Sequence, residues 1–248
     1  MRIGIIGTGH IGKSLVKKLS AAGHDVKVAN SRGPGSIDND TLSTGATAAD
    51  VVTALTDVDV AILSVPLSRL PDIAETVRAL PATCVIVDTS NYYPARDGVI
   101  AALENGMTES LWVAEQLGRT VVKAWNAIGS DSLARKGKRK GDPDRIAIPV
   151  AADSDADRKI GMTLVEDTGF DGFDAGPLET SWRQQPGAPC YCTDLQASQM
   201  AAALEAADKS RLPKRRDLSV AVIMERMGDP KTNPDADFGV RICRAIFG

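Results

Sequence analysis

The first 34 residues constrain the fold more than any other part of this 248-residue chain. An apolar run, Ile3-Gly4-Ile5-Ile6, leads directly into Gly7-Thr8-Gly9-His10-Ile11-Gly12. Helical spacing follows from Lys13 to Ala22. After Gly23 comes a second run, Val26-Lys27-Val28-Ala29, that ends in Asn30-Ser31-Arg32-Gly33-Pro34. A lone G-x-G-x-x-G is a weak signal. Here it has a strand before it, a helix after it and a second strand within roughly 30 residues, the context of a dinucleotide-binding turn. Gly7 permits the tight turn, Gly9 clears space for a pyrophosphate, and Gly12 lets the helix pack closely on the sheet. Thr8, His10 and Ile11 complete a turn whose unpaired N–H groups and helix dipole favour phosphate.

The end of the second strand selects the dinucleotide. An Asp or Glu there would hydrogen-bond the ribose 2′-hydroxyl of NAD. Asn30, Ser31 and Arg32 stand there instead. Ser31 can donate a hydrogen bond to a 2′-phosphate, and the Arg32 guanidinium can form charge-assisted bonds to it. The expected cofactor is therefore NADP(H).

Further along, apolar runs and helical stretches alternate. Strands are expected near Ala46, over Val58–Val65, Cys84–Asp88, Thr120–Ala124 and Ile146–Val150, with a short one at Phe170–Phe173. Helices are expected at Ser68–Leu80, Ser110–Leu117 and Arg158–Asp167. This order implies an α/β fold, a Rossmann-type doubly wound parallel sheet with a smaller C-terminal extension. The expected division is residues 1–150 as the NADP-binding domain and 151–248 as an α/β extension completing the substrate pocket. The right-handed crossover rule gathers the carboxyl ends of the strands on one edge, where ligands bind. Ser64, Val65 and Pro66 are then expected along the cofactor. Asn91 and Asn126 are expected to bond the nicotinamide ribose or amide, or to serve as turn and capping residues.

A net charge of −3 argues against nucleic acid as a partner. No apolar run approaches the length of a membrane span. Met1-Arg2-Ile3 already opens the first strand, so no leader is expected. Four cysteines are too few for a disulfide framework and fit a reducing cytoplasm. Two histidines outside any ligand spacing make a metal site unexpected. Two loops stand out. The basic stretch from Arg135 to Arg145 reads either as a solvated loop or as a lid anchoring an anionic substrate. The stretch from Gly176 to Asp194 lacks periodicity and gathers Trp, Arg, Gln and Tyr. Trp125, Trp182 and Arg183 are the expected substrate contacts.

The pieces Gly7–Gly12, Ala29–Pro34, Leu63-Ser64-Val65-Pro66, Lys123-Ala124-Trp125-Asn126 and Ala175-Gly176-Pro177-Leu178 resemble the NADPH-dependent deazaflavin (coenzyme F-420) reductase family. The likeness runs from Arg2 to about Asp194. The intracellular domain of the metalloreductase membrane proteins is similar. The resemblance implies a Rossmann domain with a small extension, often dimeric, that passes hydride between NADPH and a flavin- or deazaflavin-like small-molecule acceptor. The loop Ser181–Gly187 and the Arg135–Arg145 loop depart from the archaeal members and resemble a bacterial branch of uncertain substrate. No catalytic residue is assigned. A flavin-type acceptor needs no general acid at the atom that takes hydride, whereas a carbonyl acceptor needs a proton donor, for which Tyr92, Tyr191 and Lys123 are candidates. The alternatives are an NADP-binding sensor or scaffold without turnover, and an imine or carbonyl reductase.

Overall fold

Each apolar run near the start of the chain forms a strand of one parallel sheet. The strands are β1 (Arg2–Ile6), β2 (Asp25–Ala29), β3 (Thr47–Ala48), β4 (Val60–Leu63), β5 (Val85–Asp88) and β6 (Val122–Lys123). Their order is β3-β2-β1-β4-β5-β6. The computed structural model describes residues 1–229 and 232–248. Register aligns β-branched residues across the sheet: Ile3 pairs with Val26 and Val60, Val60 with Val85, and Val87 with Val122. Strand order reverses between β1 and β4, which opens a crevice beyond their carboxyl ends.

Alternation along the strands builds a core on each face. Ile3, Ile5, Val28, Ile62 and Val87 meet Leu15, Val16 and Leu19 of the helix His10–Ala21 and Leu164 and Val165 of the helix Asp155–Asp167. Ala61, Leu63 and Ile86 on the other face meet Leu67, Leu70, Val77, Trp112 and Val113. Gly4 is needed there, because a Cβ would lie 2.3 Å from the Ala54 carbonyl oxygen of the helix Val51–Leu55. The expected helix Ser68–Leu80 begins instead as a 3-10 segment, Leu67–Ile73, and becomes α-helical only at Ala74–Arg78. Pro71 lacks the N–H that an α-helical ladder needs at that position.

Two further strands, β7 (Ala147–Val150) and β8 (Asp171–Asp174), pair in parallel. They join the edge of the main sheet through an antiparallel bridge, with the Lys123 N–H donating to Ala151 O (2.8 Å) and the Ala151 N–H to Lys123 O (3.1 Å). The expected boundary at residue 150 therefore falls inside this small sheet. The chain ends in the helices Ala197–Glu205, Leu212–Met227 and Ala236–Phe247. Around Tyr191, Met200, Leu212, Cys243 and Phe247 they form a third apolar cluster.

The basic loop is pinned rather than free. Arg135 pairs with Asp131, Lys136 with Asp194 and Asp237 (both 3.2 Å), Lys138 with Asp142 (3.0 Å), and Lys140 with Glu166 (2.6 Å). Buried Arg145 holds Asp171 (3.0 Å) and the Glu166 carbonyl (2.9 Å). Each of these cations is thus paired within the fold, while Arg139 in the same loop is exposed and has no ion pair among the described residues. Among the described residues no helix is long and apolar enough to cross a membrane, and no His, Cys, Asp and Glu cluster could hold a metal ion.

Candidate functional site

The glycine turn is shaped for a ligand. Gly7 has φ 111°, and a Cβ there would lie 2.1 Å from Ser64 O; one on Gly12 would lie 2.1 Å from Gly7 O. Both glycines are required by the protein itself. A Cβ on Gly9 would meet nothing within 4 Å, so that space is left for something else. Gly9 is the N-cap of the helix His10–Ala21 and supplies no side-chain cap, and the first turn carries no acid. The opening N–H groups of the helix thus have neither a side-chain cap nor a nearby acid, the condition under which a helix start can receive an anion.

At the end of β2, Asn30 builds the turn. Its Nδ2 donates to Thr8 Oγ1 (3.1 Å), and its Oδ1 accepts from the Arg32 N–H (2.9 Å) and Ser36 Oγ (3.0 Å). Asn30 is therefore committed to holding Ser31 and Arg32 in place. Both of those are exposed, and among the described residues the Arg32 guanidinium has no ion-pair partner. The nearby Asp38 is occupied by Lys13. This is an unopposed cation beside the crevice, suited to a 2′-phosphate.

A cavity of about 540 Å³ runs from Gly9, His10 and Ile11 past Ser64, Val65 and Pro66 to Ser90, Asn91, Tyr93, Tyr191 and Cys192. The C-terminal region contributes Val220, Ile223, Met224 and Val240 to the lining, together with the polar Ser219, Asn233 and Asp235. The structure thus brings most of the expected cofactor residues to one crevice. Asn91 and Asn126 meet each other there. Asn126 Nδ2 donates to Gln184 O (2.7 Å) and Asn91 Oδ1 (3.3 Å), while its Oδ1 accepts from Gln184 Nε2 (2.9 Å). Asn91 Nδ2 donates to Asn126 O (2.9 Å). The Asn126 carboxamide is consumed, so its role is to orient Asn91, which keeps a free N–H and a free lone pair.

The expected substrate residues are placed elsewhere. Trp125 borders the cavity at φ 56°, but its ring is fully buried and its indole N–H donates to Thr168 Oγ1 (3.2 Å). Trp182 and Arg183 lie outside the cavity. Arg183 stacks on Trp182 (4.6 Å) and donates to Leu204 O (2.9 Å) at the end of the helix Ala197–Glu205. They fasten the 3-10 segment Leu178–Gln184 to that helix. Of the expected proton donors, Tyr92 is turned away: its hydroxyl donates to Gly98 O (3.2 Å) and accepts from the Ile100 N–H (3.1 Å).

Two groupings escape sequence reasoning. Tyr93 and Tyr191, 98 positions apart, share a hydrogen bond of 2.6 Å on the cavity wall. Behind the wall, Lys123 is fully buried, 3.5 Å from Glu109 Oε2 and 3.3 Å from Ser90 O. Asp88 is buried in the same cluster, with its Oδ1 accepting from the Ser90 N–H (3.0 Å); Asp88 Oδ2 and Ser90 Oγ have no hydrogen-bond partner among the described residues. One ammonium faces two carboxyl groups. Burial raises the pKa of both, Glu109 to about 7, so the cluster readily holds a proton near neutrality. The nearest sequence signal was a Lys at the end of a strand and a Tyr two residues past Asn91. Neither identifies a partner. Non-glycine residues with positive φ also gather here: Trp125, Cys192 (54°) and Asp194 (49°). Strain of this kind is held where surrounding contacts over-determine it, often at functional sites.

The fold and this crevice define a Rossmann-type framework of the kind found in NAD(P)-binding proteins. Residues 2–92 match the family model described as NADP oxidoreductase, coenzyme F420-dependent. Over 100 residues the chain is 39% identical to the protein YjhV of Escherichia coli (strain K12), covering 39% of this chain and 69% of that one. The crystal structure of SMa0349 from Sinorhizobium meliloti superimposes with a TM-score of 0.68 at 30% identity, covering 79% of this chain and 95% of the other. The chain belongs to the same family as these two proteins. A structure from Arthrobacter sp. FB24, provisionally assigned as an F420-dependent NADP reductase, shares the fold (TM-score 0.58, 16% identity, 95% and 98% covered). So does an imine reductase from Myxococcus stipitatus in complex with NADP+ (0.51, 18%, 93% and 68%).

Proposed function

We propose that the protein passes hydride between NADP(H) and a planar acceptor of the flavin or deazaflavin class. The observation that carries this reading is the continuity of one cavity from the glycine turn to a region lined by both polar side chains and the apolar Val220, Ile223, Met224 and Val240. Bound NADPH supplies the hydride chemistry; the protein supplies position and exclusion of water. The N–H groups at Gly9–Ile11 hold the pyrophosphate, and Ser31 and Arg32 hold the 2′-phosphate. Ser64, Val65 and Pro66 flank the cofactor on its way to Asn91, which holds its nicotinamide end. Val220, Ile223, Met224 and Val240 offer the face on which an acceptor ring stacks, and stacked rings transfer hydride when held about 3–3.5 Å apart.

The test is NADPH oxidation with riboflavin, FMN and a deazaflavin, each against the free cofactor. Turnover with a ring acceptor supports the reading. Tight NADPH binding with no turnover across the panel would instead identify a binding or sensing protein.

A further inference from the structure

The Tyr93–Tyr191 pair joins a half-buried tyrosine to a buried one. Tyr191 is fixed by packing against Phe247 (ring centroids 6.4 Å apart). Tyr93 is fixed beneath the Arg96 guanidinium (5.4 Å), whose Nη2 in turn donates to Asn91 O (2.6 Å). The two hydroxyls therefore stand at the same end of the cavity as Asn91. Within the pair only one hydroxyl hydrogen is used, because one group donates and the other accepts. The accepting hydroxyl retains its own hydrogen. Apart from the Cys192 thiol beside Tyr191, neither hydroxyl has a further partner among the described residues.

We propose that this pair is the proton donor to an acceptor that takes hydride at one end of a C=N, C=O or longer conjugated system and gathers charge on nitrogen or oxygen at the other. The proposal rests on the hydride-transfer reading above. As the hydride arrives with its electron pair and forms the new bond, the acceptor's π pair moves to its terminal nitrogen or oxygen. That atom takes the tyrosine proton. The phenolate keeps the O–H electron pair and is reprotonated through its partner hydroxyl, Tyr93 being half-buried and nearer to solvent. Burial raises the pKa of both phenols, with Cys192, Cys243 and Glu109 adding to the shift at Tyr93, so the pair stays protonated and able to donate. A flavin-type ring and a simple cyclic imine share this chemistry.

The experiment uses the full chain with NADPH and three acceptors: riboflavin, pyrroline, and N-methylacridinium, a cation that takes hydride and needs no proton. Tyr191→Phe and Tyr93→Phe are expected to lower kcat by about 10²-fold with whichever of the first two the wild type reduces. NADPH affinity, the thermal midpoint and acridinium turnover should stay at wild-type level. Equal losses with all acceptors, or no loss with any, overturn the donor role while leaving hydride transfer standing. NADPH binding without turnover of any acceptor by the wild type removes the hydride reading, and the donor role falls with it. In a crystal of the NADP+ complex, the hydroxyls should lie within about 6 Å of the nicotinamide C4, room for one acceptor in contact with both. A ring seated outside the tyrosine-lined end overturns the proposal.

Discussion

At the glycine turn the surface is shaped by side chains that are missing; at the other end of the same cavity it is shaped by side chains that find partners from distant segments. Gly7, Gly9 and Gly12 lie within six consecutive residues, and their backbone does the work. Asn91, Asn126 and Gln184, or Tyr93 and Tyr191, meet only because β5, β6 and the 176–194 stretch converge. The first region tolerates no added atoms at Gly7 or Gly12. In the second, Asn126 and Gln184 are buried and satisfied mainly by each other, so losing either leaves the other unpaired.

The largest effect expected from breaking this contrast is at Lys123. Lys123→Met leaves Glu109 and Asp88 buried without a counter-charge and should destabilise the fold by about 3–5 kcal/mol in denaturant unfolding. The double change with Glu109→Gln should cost less than the sum of the single ones.

The glycines should separate stability from binding. Gly12→Ala forces a clash with Gly7 O and should cost about 1–3 kcal/mol of stability. Gly9→Ala has room in the protein alone, so its melting temperature should stay near that of the wild type while NADPH affinity drops. Equal destabilisation by both would show that Gly9 is structural. Arg32→Ala should weaken NADPH by roughly 1.5–3 kcal/mol and leave NADH nearly unchanged in titration calorimetry; equal weakening of the two would reject the 2′-phosphate assignment.

Smaller effects concern pH and the outer loop. The pKa of Glu109 is raised from 4.5 to about 7, so the folded state holds a proton that the unfolded chain has released. Stability from this group is full below about 4.5 and is lost as pH rises towards 7. Asp88, also raised, acts in the same direction. Glu109→Gln should flatten the slope of unfolding free energy against pH across that window. Trp182→Phe should leave the acceptor KM unchanged in steady-state assays, because the ring lies outside the cavity.

The parallel sheet and the glycine turn were legible from the chain because their signals are local. Strands announce themselves by β-branched runs, and the turn by three glycines in register with a helix start. Ser64-Val65-Pro66 followed from topology once the strands were placed. Trp182 and Arg183 misled for a physical reason: a Trp-Arg pair in an aperiodic loop looks the same whether it faces a ligand or staples the loop to a helix. The ion pairs of the basic run were not legible, since Asp171, Glu166, Asp194 and Asp237 lie far from it in sequence. Pro71 lies inside the expected helix Ser68–Leu80, and its missing N–H turns the first part of that helix into a 3-10 segment.

By itself the sequence determined the α/β order of elements, the dinucleotide turn and the cation at the end of β2, because hydrophobic period, glycine geometry and an unopposed charge act over a few residues. Only the tertiary structure decided which polar side chains share the far end of the cavity, that Lys123 sits between two carboxyl groups, and that two tyrosines form a hydroxyl pair. Those are contacts across 14 to 98 positions of chain. Their energies depend on burial and on partners that no local pattern encodes.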